Sequence, residues 1–142
     1  MELKKAEQLA KDLIQKYNLD FNFKWIRSNN YCGRCSDKRK EIMLSKSITE
    51  LNTEELVKDT ILHEIAHALV GARHGHNFVW KMKATEIGCS PSRTASEFMV
   101  IPYTYDLVCP NCGNKWGYNK RSHRVYNCKC GQKVSFNNFI KR

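Results

Sequence analysis

The chain has 142 residues, of which 24 are Lys or Arg and 14 are Asp or Glu, giving a formal net charge of +10, and 42% are hydrophobic. That length suits one compact domain, or one with a small appendage, and the apolar share excludes disorder as the main state. No apolar run approaches the roughly 18 residues of a membrane span, and Lys11 and Asp12 interrupt the stretch a signal peptide would need, so the expected setting is cytoplasmic, nuclear or nucleoid-associated, neither membrane-bound nor secreted.

In chain order, Leu3, Ala6, Leu9, Ala10, Leu13, Ile14 and Tyr17 fall at helical spacing, with Lys4, Lys5, Lys11 and Lys16 among the outward positions. Asn18 and Asp20 end that helix. Phe21, Phe23, Trp25 and Ile26 predict a strand to about Arg27, followed by turn chemistry at Ser28-Asn29-Asn30. Glu41 to Ser45 predicts a second strand. Thr49 to Leu69 reads as helical, with Thr53 as an N-cap ahead of Glu54 and Glu55, and Gly71 as the stop. A third helix is expected from His76 to Ile87, closed by Gly88. Residues 92–108 show no clear period apart from a possible strand at Tyr103 to Val108. From Cys109 the composition turns to Cys, Asn, Gly, Lys and aromatics. The expected division is a main domain at 1–104 and a small module at 105–142.

His63-Glu64-Ile65-Ala66-His67 is the pattern H-E-x-x-H. Histidines at i and i+4 share one helical face, so both imidazoles can reach one Zn²⁺. Glu64, beside the first ligand, can take a proton from water and deliver it to a leaving amine. Three protein ligands and an open position are usual for catalytic zinc, so a third ligand is needed. His74, His76 and Glu86 are the candidates. A histidine at the position of Arg73 would match one known extension of the motif, and this chain departs from it.

The stretch from His63 to Gly71, followed by Gly75-His76-Asn77-Phe78-Val79-Trp80-Lys81, resembles the SprT-like family. That family carries H-E-x-x-H, a short loop, then a third histidine with an aromatic residue four positions later at the start of a helix. His76 with Trp80 fits this pattern and is preferred as third ligand; Asn77 stands where glycine is usual. Cys35 to Ser45 also resembles the family's glycine-cysteine segment and the strand after it. The resemblance implies an α+β, zincin-like metallopeptidase domain with a small C-terminal zinc ribbon. It also implies zinc-dependent endopeptidase action on proteins bound or crosslinked to DNA, switched on by DNA.

Seven cysteines in a reducing compartment suggest metal before disulfides. Cys109-Pro110-Asn111-Cys112-Gly113 is a zinc knuckle, and Cys128-Lys129-Cys130-Gly131 a second, tighter one. Two knuckles at this separation predict a ribbon with Cys109, Cys112, Cys128 and Cys130 on a structural zinc, His123 standing in if the C-x-C turn is too tight. One catalytic and one structural zinc are thus expected. Cys32, Cys35 and Cys89 are left over.

Residues 107–142 hold eight Lys or Arg and no acid. Such a balance points to an anionic partner. Lys115, Trp116, Tyr118, Lys120, Arg121 and Arg124 are the candidate DNA contacts, because aromatic faces stack on unpaired bases while cations neutralise phosphates. The expected partner is DNA, single-stranded or with single-stranded character, carrying protein substrates. The alternatives are a nucleic-acid-binding zinc protein without peptidase action and a general metallopeptidase unrelated to DNA. Packing of the ribbon is the competing role for the aromatics.

Overall fold

The computed structural model describes residues 1–142 and divides into two compact units, Met1–Ile101 and Pro102–Arg142. In the first, helix α1 (Leu3–Lys16) buries Ala6, Ala10, Leu13 and Ile14, the stripe that its periodicity predicts. Asn18, with φ of 54°, turns the chain out of the helix.

Strands β1 (Asn22–Ile26), β2 (Gly33–Ser36) and β3 (Glu41–Ser45) form a sheet in the order β1-β3-β2. β1 runs parallel to β3 and sets Trp25 opposite Leu44, whereas β2 runs antiparallel to β3 and sets Cys35 opposite Ile42. The central β3 buries Ile42 and Leu44, and β2 is left as an edge.

The helical region expected from Thr49 is two helices. α2 (Lys46–Leu51) starts at Ser45, whose side chain accepts from the Ile48 amide, and α3 (Glu54–Val70) starts at Thr53, whose side chain accepts from the Leu56 amide. Capping chemistry breaks the run that apolar spacing alone would continue. α3 is the spine of the core, burying Val57, Ile61, Leu62, Ile65 and Ala66. α4 (Phe78–Glu86) contributes Trp80 and Ala84, both fully buried. Residues 89–101 follow as irregular chain. This segment is tied at one end by Ser90 N–H to Asp59 Oδ1 (2.8 Å) and at the other by Asn52, which exchanges two hydrogen bonds with the Val100 backbone.

In the second unit, β4 (Tyr105–Val108), β5 (Lys115–Tyr118) and β8 (Phe139–Lys141) form an antiparallel sheet in the order β5-β4-β8. A short hairpin, β6 (Tyr126–Asn127) and β7 (Lys133–Val134), stands beside it. The buried set is only Leu107, Cys109, Cys128 and Val134, with Trp116, Tyr118, Tyr126 and Phe139 packed around them. Gly117 leaves room for the Tyr103 ring, which a Cβ there would overlap. So small a core requires a staple.

Candidate metal centre and cleft

Leu56, Thr60, His63 and His67 recur at helical spacing on one side of α3 and line a cleft of about 450 Å³. One wall is the edge strand β2, with Tyr31 and Cys32 just before it. The other is the irregular segment from Arg93 to Met99. α3 stops at Gly71 (φ 95°), the chain makes a single 3-10 turn at Ala72–His74, and Gly75 (φ 53°, ψ −127°) turns it again. Two residues in conformations that favour glycine thus fold the loop back, so that His76 meets α3.

There the Nε2 atom of His76 lies 3.0 Å from that of His63 and 3.1 Å from that of His67. Ligand nitrogens around a tetrahedral zinc, at bonds of about 2.0–2.1 Å, stand about 3.3–3.4 Å apart. Both separations are close to that spacing and the three ligand atoms all lie within 4.8 Å of one another, so the residues fit the ion. Trp80 forms the backing, its ring centroid 4.6, 5.2 and 4.7 Å from those of His63, His67 and His76. Its indole N–H points to the His63 carbonyl (3.4 Å). Asn77 caps α4 by accepting from the Trp80 amide at 3.3 Å, so one short turn positions both His76 and its aromatic support.

Burial, with the neighbouring histidines adding to it, holds His63 and His67 down to about 4. His76 is lowered too, by burial and then by the charges of Arg93 and Lys81. All three imidazoles are therefore neutral near pH 7, the form that offers lone pairs to a metal. Glu64 is 7% exposed. Burial pushes its carboxyl up to about 8, against the opposing pull of Arg34. Gly33 of β2 makes this packing possible: a Cβ there would stand 2.9 Å from Met43 O, 3.1 Å from Thr60 Cγ2 and 3.3 Å from Glu64 Cγ. Neither other candidate for third ligand joins the cluster. His74 Nδ1 lies 3.2 Å from the Asn77 amide nitrogen, and Glu86 is ion-paired to Lys83 at 2.8 Å.

In the second unit, the thiols of Cys109, Cys112, Cys128 and Cys130 lie within 4.8 Å of one another. The Cys109–Cys130 and Cys112–Cys128 sulfur separations are 3.6 and 3.4 Å. Four thiolates on a zinc, at bonds of about 2.3 Å, stand about 3.7–3.8 Å apart, so this set also fits. The C-x-C spacing closes because Cys128 N–H donates to Gln132 O and Gly131 N–H to Cys128 O. The Cys112 amide holds Cys109 low, and the Asn111 side-chain amide, 3.5 Å from Cys130 Sγ, holds that thiol at about 6. His123 instead stacks on Phe136, centroids 4.1 Å apart. Cys32 and Cys35 line the cleft, their thiols raised by burial and then by Glu64, Cys35 to about 12. Cys89 is likewise raised to about 12, by burial and then Asp59. All three thiols are thus protonated near pH 7, and Cys89 and Cys35 pack with the core of the first unit.

Lys115, Trp116 and Tyr118 lie on β5, and with Asn114, Tyr126, Asn127 and Lys129 they line a recess of about 470 Å³. Lys120, Arg121 and Arg124 lie on the following loop. The Arg121 guanidinium sits over Phe136 at 4.6 Å and Tyr105 at 5.8 Å, and Arg142 is spent on Asp106 at 2.8 Å. The recess-lining amides Asn114 and Asn127 carry no sequence signal of their own. Gly33, Arg34 and Arg93 were equally unmarked in the first unit.

An α+β fold whose long helix and following loop bring three histidines and a buried glutamate into one cleft defines the zincin-like class. The model of the SprT-like family matches residues 3–99, and the chain belongs to that family. It is 28% identical over 143 residues to the germ cell nuclear acidic protein of Drosophila melanogaster, covering 87% of this chain but spanning 14% of that protein. Among solved structures it is similar to the metallopeptidase zymogen jannalysin of Methanocaldococcus jannaschii, with TM-score 0.50 and 20% identity over 57% of this chain and 79% of that one. Abylysin, a metallopeptidase zymogen of Pyrococcus abyssi, gives TM-score 0.48 and 18% identity over 58% and 78%. The jannalysin match is a likeness of fold. No helix is long and apolar enough to cross a membrane.

Proposed function

We propose that the chain is a zinc metalloendopeptidase that cleaves proteins bound or crosslinked to DNA, working where DNA is, in a nucleus, nucleoid or cytoplasm. The observation that carries the peptidase reading is the triangle of neutral Nε2 atoms with buried Glu64 beside it in an open cleft. His63, His67 and His76 would hold the catalytic ion, and Cys109, Cys112, Cys128 and Cys130 a structural one. A zinc ion in the first site supplies Lewis acidity toward a carbonyl and toward water.

The rest of the work falls to side chains and backbone. Glu64 stands in the cleft with the three histidines, where it would take the proton of the attacking water at a carboxylate oxygen and return it to the leaving amine; burial raises the carboxylate's affinity for that proton. The outer edge of β2 offers unpaired backbone groups to an extended substrate running along the cleft. α3 and Trp80 keep the ligands fixed.

The DNA part rests on the basic second unit and its aromatic recess. Trp116, Tyr118 and Tyr126 give stacking surface, while Lys115 and Lys129 stand at its rim for phosphates. Substrate protein held on a single strand there would be presented at high local concentration.

The test is metal analysis alongside cleavage. Wild-type protein should carry two zinc ions, Glu64→Gln should keep both and lose cleavage by about 10²–10⁴-fold, and His63→Ala should keep one. Undiminished turnover by Glu64→Gln, or one zinc in the wild type, contradicts the reading.

A further inference from the structure

The loop that presents His76 has little core to rest on. None of Ala72, Arg73 and His74 is buried, and the turn is closed by its own backbone bonds, His74 N–H to Gly71 O and Gly75 N–H to Ala72 O. A tie from another element comes from Asp37, whose Oδ2 accepts from the Ala72 amide at 2.6 Å across 35 residues of sequence. Asp37 opens the turn between β2 and β3, directly after the edge strand that walls the cleft. Ala72 begins the 3-10 turn between the two positive-φ glycines, so this amide is one of the donors a helical turn leaves unpaired at its start. A carboxylate on such a donor makes a charge-assisted bond of the strong kind.

We propose that Asp37 is a positioning residue for the metal centre. It locks the loop after α3 so that His76 stands over His63 and His67 before an ion arrives, and it fixes that loop to the end of the cleft-wall strand. The inference rests on the reading of the three histidines as zinc ligands. Without the tie, the entropy of ordering the loop falls on metal binding, and affinity drops while the ligands themselves are intact.

The experiment is competition of the full chain with a chromophoric chelator for zinc, with cobalt substitution to distinguish the histidine site from the intense thiolate absorption of the cysteine site. Asp37→Ala should weaken the histidine site by about 10–100-fold, the scale for lost outer partners of metal ligands, and leave the cysteine site unchanged. Asp37→Asn, which keeps an acceptor oxygen, should recover most of that loss. Ala72→Pro removes the donor instead; proline suits the first position of a helical turn, and Gly71, at ψ 146°, tolerates a following proline. It should match Asp37→Ala, and the double variant should lose no more than either alone. Wild-type affinity in Asp37→Ala, an equal loss in Asp37→Asn, or additive losses in the double variant each overturn the proposal. His76→Ala is the separate control: if it retains both ions at wild-type affinity, the ligand reading itself has failed.

Discussion

At the scale of single residues, the cleft is built on close approach. Gly33 touches the neighbourhood of Glu64 with no room for a methyl group, and one of the three atoms in the way is a backbone carbonyl. Gly33→Ala should therefore destabilise the first unit by about 1–3 kcal/mol, the usual cost of overpacking, in denaturant unfolding of the zinc-loaded chain. Wild-type stability would mean β2 does not press on α3 as described. Trp80 presents the opposite case, a fully buried ring that backs three imidazoles. The histidines at i and i+4 were legible because helical spacing sets them on one face, whereas spacing alone left His74, His76 and Glu86 open as partners and only the family resemblance singled out His76 with Trp80. Asp37 was not legible. A carboxylate reaching an amide across 35 positions leaves no local pattern.

Elements were legible where one period ran long enough to be read. α1 appears with the expected buried stripe and β3 over the expected residues, and Thr53 and Gly71 bound α3 as their chemistry requires. The edge strand β2 was missed as a strand. Its four residues, Gly33-Arg34-Cys35-Ser36, are too few to show alternation. The parallel pairing of β1 with β3 was equally silent, since strand order is a property of the assembled sheet. In the second unit the element is the small sheet with its hairpin, with four buried residues for a core, two of them cysteines. The double change Cys109→Ser, Cys112→Ser should abolish its cooperative folding, because metal binding there is folding free energy. Loss of amide-resonance dispersion confined to residues 102–142 would show it. A still-folded ribbon would remove the structural zinc from the account.

For the whole molecule, charge is the organising quantity. The acid-free segment carries eight cations, of which Arg121 is engaged with rings and Arg142 with Asp106. About four phosphate contacts by the remainder give a slope near −3 for log affinity against log salt on a single strand, at roughly −0.7 per contact. Anisotropy titrations at several salt concentrations measure it, and Lys115→Ala or Lys129→Ala should each reduce the slope by less than one unit. A slope near zero, or binding undiminished after removal of residues 102–142, would move the nucleic-acid surface elsewhere.

The central claim is that cleavage, zinc and DNA meet in one chain, and a single incubation addresses it. Zinc-loaded protein is mixed with a basic test protein, with and without single-stranded DNA, next to Glu64→Gln under the same conditions. The wild type should give fragments, faster with DNA, and the variant none. Fragments from both proteins, or a rate from the wild type that DNA leaves unchanged, would contradict it.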